Sequence, residues 1–114
     1  MCFTLATPNK ERIKKIVGEH VSIDDYTQSK KVSGFEHPNL PVMLCEKPSH
    51  VQAIRWGLVP SWATNEQAAK DIATKTLNAK AETLFQLPSF KFSAQHHRCL
   101  IFVDGFYEWQ HQGK

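Results

Sequence analysis

Arg98-Cys-Leu-Ile-Phe-Val-Asp-Gly-Phe-Tyr-Glu-Trp109 carries apolar, β-branched and aromatic residues on both sides of a single Asp104-Gly105 pair. This predicts a strand from Arg98 to Val103, a turn or bulge at Asp104-Gly105, and a second strand from Phe106 to Gln110. Outward from it, Pro41 to Glu46 and Val51 to Val59 read as two more strands, with Lys47-Pro-Ser-His50 as the hairpin turn between them. Cys2 to Ala6 reads as a short opening strand. Helical signals are fewer. Thr7-Pro8 supplies an N-cap and a first-turn proline, Ile13, Ile16 and Val17 recur at helical spacing, and Gly18 closes that helix. Asn65 to Lys75 is weakly amphipathic, and a further short helix is expected near Ala79, carrying Glu82, Leu84 and Phe85. Residues 19–39 are polar and read as an irregular loop. The expected class is α+β, mostly antiparallel sheet with a few short helices.

At 114 residues the chain is one domain at most, with a modest core. Its 41% hydrophobic and 22% charged residues exclude a disordered class. No apolar run approaches the length of a membrane span, and no secretory leader pattern opens the chain, so a cytoplasmic protein is expected. Three cysteines without metal-ligand spacing fit a reducing compartment. Cys45 and Cys99 sit in strand-like runs and are expected to be buried, inert thiols. The net charge of +3 permits nucleic-acid binding without demanding it. Basic residues gather at Lys10 to Lys15, at Lys30 and Lys31, and around Arg98, where a solvated face is the plain alternative.

Cys2 is the residue with the most distinctive chemistry. Removal of Met1, which a side chain as small as cysteine permits, leaves a free α-amine two carbons from a thiol. Reference pKa values of about 8 for the amine and about 8.5 for the thiol leave usable neutral amine and thiolate near neutrality. Such an aminothiol condenses with an aldehyde through its amine, and the thiol closes the imine into a thiazolidine. No internal cysteine can do this. The alternative is a small residue that merely opens a strand.

Other candidates follow from residue type. Asn78, Lys80 and Glu82 alternate at a spacing of two, so an extended segment projects them to one side. Asn78 offers a donor and an acceptor, suited to holding an amine or a sugar hydroxyl, or to making a turn before a helix. Glu108 is a carboxylate within an aromatic strand, costly there unless it has a partner or a task such as proton transfer; otherwise it faces outward. Trp56, Trp62 and Trp109 read as core residues or as stacking platforms for unpaired bases, with Trp62 on the bend after Pro60 the preferred contact. Arg55 and Arg98 can meet phosphates or make structural ion pairs.

With the N-terminal Met-Cys, the segments Arg55-Trp-Gly-Leu-Val-Pro-Ser-Trp-Ala63, Asn78-Ala-Lys-Ala-Glu-Thr83 and Arg98 to Trp109 closely resemble the SOS response-associated peptidase (SRAP) family. The resemblance runs from Met1 to the last residues. It implies a protein that binds single-stranded DNA at abasic sites and joins them covalently through Cys2, with an associated cysteine-type autopeptidase activity at the Met1-Cys2 bond. Cys2, Asn78 and Glu108 become the catalytic set, and Lys80, Trp56, Trp62, Arg55, Arg98 and Trp109 the DNA contacts. It calls for no metal, cofactor or membrane, and implies association with the nucleoid during DNA damage.

Family members run on with further strands and a further active-site histidine, in a barrel-like fold. The chain is therefore expected to be the N-terminal portion of a single such domain, with an exposed edge open to non-native oligomerisation. His96, His97 and His111 are not convincing substitutes for that histidine. Lys80 stands where the family usually has arginine and loses the bidentate fork. Phe3 and Thr4 replace a glycine and an arginine, so Thr4 weakens the expected hold on phosphate. Phe102-Val103 stands where small residues or proline are usual, a difference of packing. Two rival readings are a general thiol peptidase and a non-catalytic remnant that binds single-stranded DNA.

Overall fold

The computed structural model describes residues 2–110 and 112. Two sheets carry the architecture. β1 (Thr4–Ala6), β3 (Val32–Ser33) and β7 (Gly105–Tyr107) form one, in the order β3-β1-β7. β2 (Ser22–Ile23), β4 (Asn39–Leu44), β5 (His50–Arg55) and β6 (Cys99–Ile101) form the other, in the order β2-β5-β4-β6. All pairings are antiparallel except β2 with β5, which runs parallel through Ser22↔His50 and Ile23↔Val51. Three helices, α1 (Lys10–Val17), α2 (Glu66–Lys75) and α3 (Lys91–His96), and a 3-10 turn at Gly34–Glu36 complete the α+β fold. Both sheets are open.

The sheets are built on the hairpin that the proline and β-branched pattern indicated. β4 and β5 pair from Asn39↔Arg55 to Met43↔Val51. Their buried residues fall into two clusters. Ile13 of α1 packs with Val21 and Val51, and Val32 of β3 packs with Leu40 and Val42 of β4. Ile13 and Val51 are fully buried, each contributing roughly 1.5–3 kcal/mol. The strand ends at Arg55, short of the expected Val59, because Gly57 turns the chain with φ of 120°. A Cβ there would lie 2.9 Å from the Ala73 carbonyl oxygen, so only glycine fits.

Several expectations need correction. The cap of α1 is Asn9, whose side chain accepts from the Arg12 backbone N–H at 2.8 Å. Thr7 is occupied elsewhere, because its hydroxyl donates to the Thr27 carbonyl at 2.9 Å and its N–H donates to the Ser29 carbonyl at 2.9 Å. The polar segment 19–39 is not wholly irregular but supplies β2, β3 and the 3-10 turn. The helix expected near Ala79 is a series of turns over residues 81–87, and α3 starts later, at Lys91. Cys45 and Cys99 are exposed, since β6 is an edge strand and Cys45 lies just beyond β4. Partial desolvation, then the Glu46 carboxylate, push the Cys99 thiol up, which leaves it a poor nucleophile. Met1, His111, Gly113 and Lys114 lie outside the described residues.

Candidate active site

Cys2 lies just before β1, the central strand of the three-stranded sheet, and Asn78 comes from far along the chain to meet it. The Cys2 backbone nitrogen donates to Asn78 Oδ1 at 3.1 Å, across 76 residues of sequence. This nitrogen becomes the α-amine once Met1 is removed. The Cys2 thiol donates to the Thr4 carbonyl at 3.4 Å, a local contact that holds Sγ on the strand. Asn78 Nδ2 is buried and has no hydrogen-bond partner among the described residues. A buried amide donor without a partner costs about 1–3 kcal/mol.

The position of Asn78 is set by Trp56. Its indole Nε1–H donates to the Leu77 carbonyl at 3.1 Å, and its ring packs against the Val32–Leu40–Val42 cluster. A Cβ on Gly34 would meet that ring at 3.1 Å, so glycine allows β3 to settle over the indole. Thr76 adds a second tie, with Oγ1 donating to the Leu58 carbonyl at 2.7 Å. Together these fix the segment after α2 against the end of β5. Trp56 is thus engaged in packing, whereas Trp62 is 53% exposed on its bend and Trp109 is 94% exposed.

Glu108 follows β7, which pairs with β1 through Thr4↔Tyr107 and Leu5↔Phe106. That register carries Glu108 alongside the start of the chain. Its carboxyl is held below the usual carboxylate range. Desolvation opposes this shift, while the Trp109 backbone N–H, at 3.2 Å, assists it. Glu108 also lines an open cleft of about 300 Å³ with Phe3, Thr4, Lys31, Tyr107 and Trp109.

The basic candidates are spread over the surface. Arg55 borders a second open cleft of about 440 Å³, with Phe35, His37 and Lys70 among its lining. Lys80 is exposed in the turn after Asn78. Arg98 is pinned, its Nε–H donating to the Ala94 carbonyl at 2.9 Å beyond the end of α3. His96 and His97 pack around Phe92, with ring centroids at 4.6 and 5.3 Å. Among the described residues no group of three or more His, Cys, Asp or Glu is placed to hold a metal ion, and no helix is long and apolar enough to cross a membrane.

Sequence reasoning missed His37. It adopts a left-handed backbone, φ 49°, and its ring bridges the Trp56 carbonyl at 2.8 Å and Thr74 Oγ1 at 3.3 Å. His37 therefore joins the 3-10 turn to α2. The only signal for it in the sequence is a histidine before proline inside a polar stretch. The pairing of Phe3 with Phe35 was equally hidden, with rings stacked at 5.0 Å.

Comparison with known proteins adds relatives to this geometry. The model of the SOS response associated peptidase (SRAP) family matches residues 1–114. The chain is 47% identical over 57 residues to the abasic site processing protein YoqW of Bacillus subtilis, a match covering 50% of this chain and 24% of that protein. It is 38% identical over 85 residues to the abasic site processing protein HMCES of Gallus gallus, covering 64% of this chain and 24% of that protein. A crystal structure of a protein from Bacteroides thetaiotaomicron superposes with a TM-score of 0.71 at 28% identity, over 98% of this chain and 50% of the other. The aligned stretches thus amount to half or less of these proteins' lengths.

Proposed function

Since the chain belongs to the SRAP family, we propose that it processes abasic sites in single-stranded DNA by forming a covalent thiazolidine through Cys2. The observation that carries this reading is the hydrogen bond from the Cys2 nitrogen to Asn78 Oδ1, which aims the future α-amine from a distant, rigidly held side chain. The names of the relatives, abasic site processing proteins, support the substrate class.

The chemistry begins with hydrolysis of the Met1-Cys2 peptide bond, which consumes one water and frees the amine. The ring-opened deoxyribose presents an aldehyde. The Cys2 nitrogen attacks its carbon, and loss of one water gives the imine. The thiol then adds to the imine carbon, its proton passing to nitrogen, and the five-membered ring closes. Glu108 accepts the proton released from nitrogen and returns one to the departing oxygen. Asn78 Oδ1 orients the nitrogen, and the open Nδ2–H binds a hydroxyl of the sugar. Lys80, Arg55, Arg98, Trp62 and Trp109 provide phosphate and base contacts around this centre. The crosslink shields the lesion from strand cleavage as part of the DNA damage response.

The test is incubation with single-stranded DNA containing one abasic site, followed by a denaturing gel. A heat-stable shifted band from the wild-type chain, greatly reduced in Cys2→Ser, is expected, because a serine hydroxyl closes only a far less stable oxazolidine. An undiminished band from the serine variant excludes the thiazolidine.

A further inference from the structure

We propose that the stacked rings of Phe3 and Phe35 form a platform for the unpaired base next to the abasic position, a subsite that rests on the function proposed above. The rings lie 5.0 Å apart at 28°, and Phe35 is 55% exposed. A large apolar ring left open to solvent is ordinarily free to move. This one is not.

The Gly34 N–H donates to the Phe3 carbonyl at 2.7 Å, which extends the β1–β3 ladder by one step and brings the two phenylalanines together. Ser33 Oγ accepts from the Phe35 N–H at 3.3 Å, and the left-handed His37 ends the turn with both ring nitrogens engaged. The aromatic surface is therefore pre-set, so little side-chain entropy is lost when a base lands on it. Phe3 is also bonded directly to Cys2, so a base on the platform belongs to a nucleotide adjoining the one that reacts.

The surroundings fit a nucleic-acid strand better than a protein partner. The pair separates the two open clefts, Phe3 lining one and Phe35 the other. Each cleft contributes a cation. Lys31 lies over the Tyr107 ring, Nζ 5.8 Å from its centroid, and the Arg55 side chain makes no hydrogen bond or ion pair among the described residues. The carboxylate of Glu66 in the second cleft is answered by Lys70 at 3.2 Å. Alternation of aromatic faces with cations is the arrangement that binds single strands without reading their sequence. Lys31 and Arg55 accordingly take the phosphates on either side of the stacked base, supplying charge that Thr4 does not.

The experiment uses a short single-stranded oligonucleotide with a tetrahydrofuran abasic analogue, which has no aldehyde, flanked by 2-aminopurine. Binding is read by anisotropy and stacking by fluorescence quenching. A parallel arm measures crosslinking to a true abasic site. The wild-type chain is expected to quench the probe. Phe35→Ala is expected to abolish quenching and weaken binding about ten-fold, and Phe35→Trp to restore both. The melting transition of both variants should match wild type, because the ring is exposed. Quenching and affinity unchanged in Phe35→Ala overturn the platform. Crosslinking without any effect of Phe35 leaves the proposed function standing and sinks only the subsite; quenching without crosslinking does the reverse.

Discussion

Trp56 determines where the candidate chemistry happens, although it is not itself reactive. Its Nε1–H holds the Leu77 carbonyl, and the next residue receives the Cys2 nitrogen. Trp56→Phe keeps an aromatic ring but leaves that carbonyl unpaired, at a cost of about 1–3 kcal/mol. Denaturant melts should show this loss, and crosslinking should slow although no reacting group has changed. Unaltered stability and rate would remove Trp56 from the account. A charge effect belongs at the same scale. The Asp25 carboxyl is lowered chiefly by its hydrogen bond from Lys10, then by the charge of that ammonium. A folded-state value below the unfolded one gives stability that is present above the ordinary carboxylate range and lost as pH falls through the lowered value. Both side chains face solvent, so the effect is small and weakened by salt. Asp25→Asn should therefore destabilise slightly near neutrality, and the difference from wild type should vanish in acid, once pH falls below the lowered value. A gap that persists in acid would mean that Asp25 acts by some route other than its charge.

Among the elements, β4 and β5 were legible because both their flanking turn residues and their apolar runs are local signals. α1 was legible too, but its start was not, since Thr7 is claimed by Thr27 and Ser29 from the far side of a loop. Asn9→Ala should cost about 1 kcal/mol through loss of the true cap, while Thr7→Ala acts by loosening that loop instead. Leu40→Ala, emptying the center of a cluster that β3 and β4 share, should cost about 2–5 kcal/mol. Thermal melts that reversed this order would place the fold's weight elsewhere. The two-residue strands β2 and β3 left no alternation to read, which is why the Phe3–Phe35 pairing escaped notice. Burial of Cys45 and Cys99 was misjudged because an apolar run looks the same in an edge strand as in a central one. The nearness of Asn78 to Cys2 was suggested by motif resemblance alone; their separation in sequence hides any physical pattern that joins them.

For the whole molecule, both open sheets end on strands from one short segment. β6 forms an edge of one sheet and β7 an edge of the other. Leu100 is 63% and Phe106 67% exposed there, giving unpaired backbone beside apolar side chains. Size-exclusion chromatography of the 114-residue chain should show association that grows with concentration, and Ile101→Lys should reduce it; a strictly monomeric profile at all concentrations would show these edges to be inert. The central claim is that the Cys2 nitrogen and thiol together capture the aldehyde. It is tested most directly by mass spectrometry of the protease-released peptide from a crosslink to abasic single-stranded DNA. The account predicts a peptide that begins at Cys2, lacks Met1, and carries the sugar remnant at the summed mass less one water. A remnant on a lysine, or on a peptide that still retains Met1, would contradict it.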